Sequence, residues 1–192
     1  MPNYYSLAAR NPVLLDRVYS MRYRSYSAED YIDKNSSGKF LDEYDSMPNC
    51  TSYLTFLDNK AIGSIRACVF MPEDGLQIPA MEVFEPEIEV HLGFDEPFVE
   101  SNKFVIDPDF QKRGGVKARF NVLRNIVEKA IESNAPNIIT AVRAEHLKFY
   151  KMLYFVPISN SKRYPHLAFD TILLVCKDLA SVKQKIWSKT EQ

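Results

Sequence analysis

Apolar side chains recur at helical spacing in four parts of the chain. In 116–130 they are separated by steps of four and three residues, which predicts a long helix with one buried face. Asn11 can cap the free N–H groups at a helix start and Pro12 fits the first turn, so another helix is predicted as far as Tyr26. Two shorter helices are predicted at 144–153 and 179–189.

Runs rich in apolar and β-branched residues predict the strands. Two such runs within 51–70 flank a turn at 58–60 and predict two consecutive strands. Residues 71–97 contain four prolines and are predicted to be irregular, apart from a short helix near 80–84. Further strands are predicted near 98–106, 137–142, 154–158 and 168–176.

The long helix lies between two predicted strands, 98–106 and 137–142. A strand, a helix and a strand in this order form a βαβ unit, so these two strands are expected to be parallel and adjacent. The earlier strands are expected to be antiparallel. The pattern predicts one mixed α/β (α+β) domain over 1–192, without repeats or linkers.

The distribution of charge along the chain is more informative about binding partners than the net charge. The formal net charge is −1, which excludes a general attraction to nucleic acid or to an anionic membrane. Residues 67–102 contain nine acids and no Lys or Arg, whereas 103–124 contain six basic residues and two acids. A charged partner is therefore expected to meet a local patch, and no nucleic acid partner is predicted.

The cysteines and the longest apolar runs bear on the compartment. Cys50, Cys68 and Cys176 are widely separated, odd in number and form no CxxC motif, so they are predicted to be unpaired, in a reducing compartment. Cys68 and Cys176 lie in predicted strands and are expected to be buried side chains and not nucleophiles. No apolar run is long enough for an integral membrane segment, and no secretory leader is visible. A cytoplasmic protein is expected. The three histidines lack metal-ligand spacing, so no metal is predicted.

A glycine pair follows the strand at 98–106 and precedes the long helix. Gly114 and Gly115 allow a ligand to approach backbone N–H groups at a helix start, and Lys112, Arg113 and Lys117 add positive charge. Phosphate is the natural guest of such a turn. The same glycines are also typical of an ordinary turn, and neither a P-loop nor a dinucleotide fingerprint is present.

The order of these motifs resembles a known superfamily. A strand with an acid, the turn QKRGGVKA, a long helix, a short strand and HLKFYKMLYF together resemble the GNAT acyltransferases. Within that superfamily, RVYSMRYRSY, FLDEYDSMPNCTSYL, IGSIR and VESNKFVIDP are similar to N-acyl amino acid synthases and, more distantly, to acyl-homoserine lactone synthases. The resemblance covers about 13–158. It implies a mixed central sheet with flanking helices and a parallel βαβ core.

The resemblance also implies a reaction. It is transfer of a medium or long acyl chain from acyl carrier protein or acyl-CoA to the amine of an amino acid-like acceptor, with no permanently bound cofactor. The Trp of the lactone synthases near 30–36 is missing, since Trp187 is the only one, so S-adenosylmethionine is not the expected acceptor. Carrier proteins are acidic, so a basic docking face is expected, formed by Lys112, Arg113, Lys117, Arg119 and Arg124.

The resemblance assigns roles to individual residues. Glu100 would take the amine proton, and Tyr150 would donate a hydrogen bond or a proton to the departing thiolate. Acceptor binding is assigned to Arg24, Asp42, Asp45 and Arg66. Donor binding is assigned to Phe104, Val105, Ile106, Gln111, Lys112, Arg113, Gly114, Gly115, Val116 and Lys117. Val116 stands where the superfamily has a small residue, which shifts part of the phosphate binding to the basic side chains.

Alternatives remain for both roles and function. Glu100 can be an outward-facing strand acid, Tyr150 a core tyrosine, and Arg66 with Asp42 and Asp45 an internal ion pair. The chain can also be a short-chain acetyltransferase that uses acetyl-CoA. A third possibility is a non-catalytic module that binds an acyl ligand.

Overall fold

One mixed sheet forms the centre of the molecule. Within 3–111 and 115–191, the residues that a computed structural model describes, eight strands follow the order β1-β2-β3-β4-β5-β8-β6, with β7 pairing with β8 beside this path. The pair β4–β5 is parallel and the other pairs are antiparallel. The strands are β1 Tyr4–Ala8, β2 Cys50–Leu57, β3 Lys60–Phe70, β4 Phe98–Ile106, β5 Asn137–Val142, β6 Val156–Pro157, β7 Lys162–Arg163 and β8 Asp170–Cys176.

Helices cover both faces of this sheet. They are α1 Pro12–Ser27, α2 Met81–His91, α3 Pro108–Gln111, α4 Gly115–Glu132, α5 Leu147–Lys151 and α6 Leu179–Thr190, with 3-10 turns at Glu43–Asp45 and Ala144–His146. The Asn11 side chain accepts a hydrogen bond from the Leu14 N–H and so caps α1. None of the helices in the described residues is long and apolar enough to cross a membrane.

Alternation along the central strands divides the core between the two faces. Ala67 and Val69 of β3 pack with α4 and α6 on one face, whereas Cys68 and Phe70 pack with α2 on the other. Helix α1 packs against the same face as α2, over residues such as Leu54. Because successive strand residues point to opposite faces, β3 and β4 are covered by helices on both sides and form the centre of the fold.

The parallel pair is short. Strands β4 and β5 are paired at Phe98–Asn137, Val99–Ile138 and Glu100–Ile139, after which the two strands diverge. Strand β5 continues beside β8 as far as Val142, and β4 continues beside β3 as far as Ile106. The sheet is therefore continuous at one end and open at the other, between the carboxyl ends of β4 and β5.

A bulge interrupts β4 just beyond the last pair with β5. The register with β3 shifts between Ser64 and Arg66, and Lys103 has a positive φ of 50°. An extra residue in one strand bends it and re-aims the side chains that follow. Glu100 and Lys103 are an odd number of residues apart and would point to opposite faces of a regular strand, but the bulge lets both reach the same space.

Most predicted elements are confirmed, including the parallel βαβ unit and its long helix. The predicted irregular region 71–97 was wrong in part, because it contains the eleven-residue helix α2, which is kinked at Phe84. Pro86 follows the kink, where it occupies the first turn of a new helical segment and its missing N–H is not needed there. Strand β1 was not predicted. The helix expected at 144–153 is a 3-10 turn followed by the short α5.

The prediction that the cysteines are unpaired was wrong for two of the three. Cys50 and Cys68 are directly opposite on the antiparallel strands β2 and β3, with their Cα atoms 4.1 Å apart, and form a disulfide. The spacing of the two cysteines in the sequence does not predict this pair, because they become neighbours only through the register of β2 and β3. Cys176 is free and buried, as predicted.

Gly63 tests how tightly the sheet and α4 pack near the bulge. A Cβ atom at Gly63 would lie 2.7 Å from Val122 Cγ2 and 2.8 Å from the Val105 carbonyl oxygen. We expect Gly63→Ala to lower the free energy of unfolding by about 1–3 kcal/mol in urea titrations. The control is Ser64→Ala, which removes a buried hydroxyl without a hydrogen-bond partner and should cost nothing. Equal losses in both variants would contradict this packing.

Candidate active site

A cavity of about 460 Å³ opens where β4 and β5 diverge. Its volume lies within the usual range of small-molecule pockets. Eight of the side chains that the sequence assigned to catalysis or binding line this one cavity: Asp42, Arg66, Glu100, Phe104, Val105, Ile106, Gln111 and Tyr150. They come from β3, β4, α3, α5 and the start of the 3-10 turn before β2, so the fold brings together residues more than 100 positions apart.

Glu100 lies on the cavity wall, at the last position where β4 pairs with β5. It is only 1% exposed, and its Oε1 accepts from Asn102 Nδ2 at 2.9 Å while Oε2 accepts from the Ala80 N–H at 2.8 Å. Burial raises the pKa of Glu100, and the two hydrogen bonds oppose this rise only in part. A carboxylate with a raised pKa, fixed by two donors, is suited to accept a proton from a ligand in the cavity.

Tyr150 lies in α5, and its ring packs edge-on against Phe149 and Phe155. Burial raises its pKa, and a hydrogen bond with Thr140 of β5 opposes this only in part. Thr140 in turn donates to the Ser101 carbonyl at 2.8 Å, which links the two strands where they separate. Tyr150 therefore remains a neutral phenol at the cavity wall and can donate a hydrogen bond or a proton.

A buried ion network supports one side of the cavity. Arg66 is 1% exposed and binds Asp42 through Nη1 at 2.5 Å and Nη2 at 3.1 Å, Asn102 through Nε at 2.7 Å, and Asp45 at 3.2 Å. Arg22 of α1 binds Asp45 at 2.7 Å. Burial alone would raise the pKa of Asp42, but its bonds with Arg66 and its proximity to a lysine lower the pKa well below the ordinary value.

That lysine, Lys103, was missed by sequence reasoning. It is 9% exposed, lines the cavity, and places Nζ 3.1 Å from Asp42 Oδ2 and 3.7 Å from the centre of the Phe40 ring. Burial lowers its pKa to about 8, with Asp42 opposing this fall. The sequence holds one indication of its importance, because Lys103 is the first basic residue after the acidic stretch 67–102. The alternation rule nevertheless placed it on the face opposite Glu100.

A second group missed by sequence reasoning consists of phenols and an acid. Tyr44, Glu82 and Tyr164 line the cavity together with Glu100, and burial and the nearby carboxylates raise the pKa of Tyr44. Tyr31 and Phe169 also line the cavity and pack against each other, and the Arg143 Cζ lies 4.1 Å from the centre of the Tyr31 ring. No sequence motif identifies these residues as part of a site, because they reach the cavity from separate loops and from the start of α2.

Only the two ends of the expected phosphate turn, Gln111 and Gly115, lie within the described residues. Gln111 lines the cavity and donates from Nε2 to the Ile106 carbonyl at 3.2 Å. Gly115 begins α4 with a φ of 56°, Val116 is exposed, and the Lys117 Nζ lies 5.9 Å from the centre of the Tyr4 ring. Lys112, Arg113 and Gly114 lie outside the described residues. Three cationic or titratable side chains also line the cavity: Arg119, Arg143 and His146.

Two predicted acceptor-binding residues lie behind the cavity wall. Arg24 is more than half exposed and binds the buried Asp107 at 2.6 Å. Asp45 is buried between Arg22 and Arg66. Neither side chain lines the cavity, so each is placed to support residues that do.

Comparison with known families adds to this geometry. The sequence profile of the family described as N-acyl amino acid synthase FeeM matches residues 17–177. These residues include every side chain of the cavity described above. No relative was found among curated protein sequences.

Solved structures share the fold. The structure of FeeM, an N-acyl amino acid synthase from uncultured soil microbes, is 16% identical, with a TM-score of 0.75 over 99% of this chain and 96% of that chain. A CoA-dependent acyl-homoserine lactone synthase, BjaI, is 12% identical, with a TM-score of 0.71 over 98% and 89%. A second such synthase, MesI, is 16% identical, with a TM-score of 0.67 over 99% and 96%. The predicted GNAT acyltransferase fold is confirmed.

The buried network gives a pH-dependent contribution to stability. The folded-state pKa of Asp42 is lowered, so its contribution is present above the unfolded pKa of about 4 and is lost as pH falls through the folded value. We expect Asp42→Asn to cost about 3 kcal/mol at pH 7, since Arg66 and Lys103 lose a buried partner. Its stability should then fall less steeply than that of the wild type below pH 4.

Urea titrations at pH 7, 5 and 3 measure this difference. The matched control is Asp16→Asn, which removes an exposed ion pair with Lys39 and should change stability by less than about 1 kcal/mol. If the two variants lost equal stability at pH 7, Asp42 would not be the counter-ion of a buried network.

Proposed function

The chain belongs to the N-acyl amino acid synthase FeeM family, and from this premise we propose that it moves a medium or long acyl chain from a thioester to an amino acid-like acceptor. It is an acyltransferase, and the acyl group is transferred to an amine. The donor is proposed to be acyl-CoA or acyl carrier protein. The observation that carries this proposal is that Glu100 and Tyr150 line one cavity at the opening between β4 and β5.

The reaction begins at Glu100. An amine enters mostly as an ammonium ion, and only its neutral form attacks a thioester carbonyl. Glu100 takes the proton, and its raised pKa, caused by burial, favours this role. The nitrogen then bonds to the carbonyl carbon, and the oxyanion lies along the edge of β4 that has separated from β5, where backbone N–H groups can stabilise it.

The reaction ends at Tyr150. As the tetrahedral intermediate collapses, the carbon–sulfur bond breaks and the nitrogen loses its second proton. That proton reaches the thiolate through the Tyr150 hydroxyl, which gives its own proton to sulfur and takes the one from nitrogen. Tyr150 is a neutral phenol on the cavity wall, because burial raises its pKa. The amide product and the free thiol then leave the cavity.

The donor is proposed to enter from the α4 end. Phe104, Val105 and Ile106 of β4 supply an apolar wall, and Gln111 at the end of α3 also lines the cavity. Lys117 and Arg119 in the first turns of α4 place positive charge at this end. Phosphopantetheine carries a phosphate and carrier proteins are acidic, so this charge suits either donor.

The acceptor is proposed to lie between Lys103 and Glu100. Arg66 is bonded to Asp42, Asp45 and Asn102. Lys103, the other cation that β3 and β4 contribute to the described cavity wall, contacts one carboxylate, that of Asp42. Lys103 therefore has more capacity than Arg66 to bind a ligand carboxylate. A zwitterionic amino acid fits this arrangement, with its carboxylate towards Lys103 and its ammonium towards Glu100.

Lys103→Met tests the acceptor assignment. We expect kcat/KM for an amino acid acceptor to fall roughly 10- to 100-fold, because a charge-assisted hydrogen bond is lost. The corresponding amine without the carboxylate should lose less than about threefold, since it makes no such bond. Product is measured as N-acyl amide by mass spectrometry, with acyl-CoA and acyl carrier protein donors of long chain and with acetyl-CoA.

The matched control is Lys39→Met, an exposed lysine paired with Asp16, which should change neither acceptor. Equal loss with both acceptors would contradict carboxylate recognition by Lys103. Use of acetyl-CoA far in preference to long acyl donors would replace the proposed donor with a short-chain one.

A further inference from the structure

Asn102 lines the cavity, and the reaction proposed above gives it no role. It stands two residues after Glu100 in β4, so the two side chains lie on the same face of the strand. On the neighbouring strand β3, Arg66 is directly opposite Asn102 and Cys68 is directly opposite Glu100. The strand register therefore brings the Asn102 amide close to both the Arg66 guanidinium and the Glu100 carboxylate.

The contacts of Asn102 fix the orientation of its amide. Oδ1 accepts from Arg66 Nε at 2.7 Å, and Nδ2 donates to Glu100 Oε1 at 2.9 Å. Nδ2 also lies 3.8 Å from Cys68 Sγ, a weak acceptor. A guanidinium nitrogen can only donate, so Oδ1 must face Arg66 and Nδ2 must face Glu100. Arg66 thereby sets the direction in which Asn102 donates.

Arg66 can hold this amide because it is itself held. It is 1% exposed, and Asp42 accepts from its Nη1 at 2.5 Å and from its Nη2 at 3.1 Å. The same carboxylate lies 3.1 Å from Lys103 Nζ. Direct contacts therefore run through Asp42, Arg66 and Asn102. They join Lys103, the proposed partner of the acceptor carboxylate, to Glu100, the proposed partner of its ammonium.

The hydrogen bond from Asn102 acts on Glu100 in two ways. With the Ala80 N–H at Oε2, it engages both oxygens, so rotation of the carboxylate would break two hydrogen bonds. Nδ2 donates and does not accept, so its bond to the charged carboxylate is stronger than its bond to the neutral acid. Burial raises the pKa of Glu100, and the Asn102 donor opposes that rise.

We propose that Asn102 is the positioning residue of the base: held by Arg66 in one orientation, it fixes the Glu100 carboxylate and favours its charged form. This inference rests on the proposed function, in which Glu100 accepts the amine proton. Asn102 itself exchanges no proton. Arg66 then acts on the reaction through Asn102 and not as a direct ligand of the acceptor.

Other charged and titratable groups line the cavity with Glu100, and they remain in place when Asn102 is changed. From β3, β4, the 3-10 turn and the residue before it, α2 and the segment after β7, they are Arg66, Lys103, Asp42, Tyr44, Glu82 and Tyr164. After burial and the two hydrogen bonds, Arg66 lowers the pKa of Glu100 and Asp42 raises it. Because these two charges oppose each other, we expect loss of the Asn102 donor to decide the direction of any change.

Asn102→Asp and Asn102→Ala test this role. Aspartate keeps the shape of asparagine and an acceptor for Arg66, but it has no donor for Glu100 and adds a like charge beside it. Alanine removes both hydrogen bonds. The acidic limb of kcat/KM for the acceptor should move to higher pH, by roughly one unit in Asn102→Ala and further in Asn102→Asp. Above this limb, kcat should fall roughly tenfold and KM for the donor should change less than about twofold.

The profiles are measured from about pH 5 to about pH 8, below the range in which the acceptor amine loses its own proton. The donor is decanoyl-CoA, or decanoyl carrier protein if the wild type uses that donor alone, and the N-acyl product is quantified by mass spectrometry. The matched control is Asn49→Ala. Asn49 is half-buried and donates to the carbonyls of Val69 and Gln77, but it does not line the cavity. Its profile should coincide with that of the wild type.

The outcomes separate this inference from the proposed function. Suppose that Glu100→Gln abolishes turnover while both Asn102 variants keep the wild-type profile, or lose activity equally at every pH. The positioning role is then overturned and the role of Glu100 stands. If Glu100→Gln retains wild-type turnover, the proposed base is wrong and the inference falls with it. Should Asn102→Ala fail to fold, Asn102→Asp decides the question, because it keeps an acceptor for the buried Arg66.

Discussion

The separation of β4 from β5 after Glu100 is the constraint on which the rest of the site depends. Parallel strands that remained paired would fill the space between them with backbone hydrogen bonds. Here three paired positions hold the strands together, and the cavity begins immediately beyond them. The bulge at Lys103 completes the opening, because it turns β4 enough for Glu100 and Lys103 to face the same space. A small backbone irregularity thus places a carboxylate and an amino group on the wall of one cavity.

The buried ion network explains how the N-terminal half of the chain is tied to this opening. Arg22 of α1 and Arg66 of β3 are both almost fully buried, and each is held by a carboxylate from the segment that precedes β2. Such charges are tolerated in the interior only when they are paired and hydrogen-bonded. The network therefore fixes α1 and the 3-10 turn against the sheet, and it presents Asp42 to Lys103 at the cavity wall.

How far the sequence predicts this structure depends on the range of the interactions. The steps of four and three residues in α4 and the apolar runs of β4 and β5 were sufficient for the βαβ unit, because these signals are local. The resemblance of motifs singled out Glu100 and Tyr150, and the fold places both on the wall of one cavity. Lys103 was missed, since period-two alternation places it on the wrong face unless a bulge is known. The Cys50–Cys68 pair was missed for a related reason, because strand register is not readable from spacing.

Transfer of an acyl chain to an amino acid in the opening between β4 and β5, with Glu100 as the base, is the proposed reaction. It is tested most directly by mass spectrometry of lipid extracts from a bacterial host that expresses the protein, compared with a host that expresses equal amounts of folded Glu100→Gln. We expect N-acyl amino acids with medium or long chains in the first extract and none above background in the second. Equal amounts of these products from both hosts, or none from either, would contradict it.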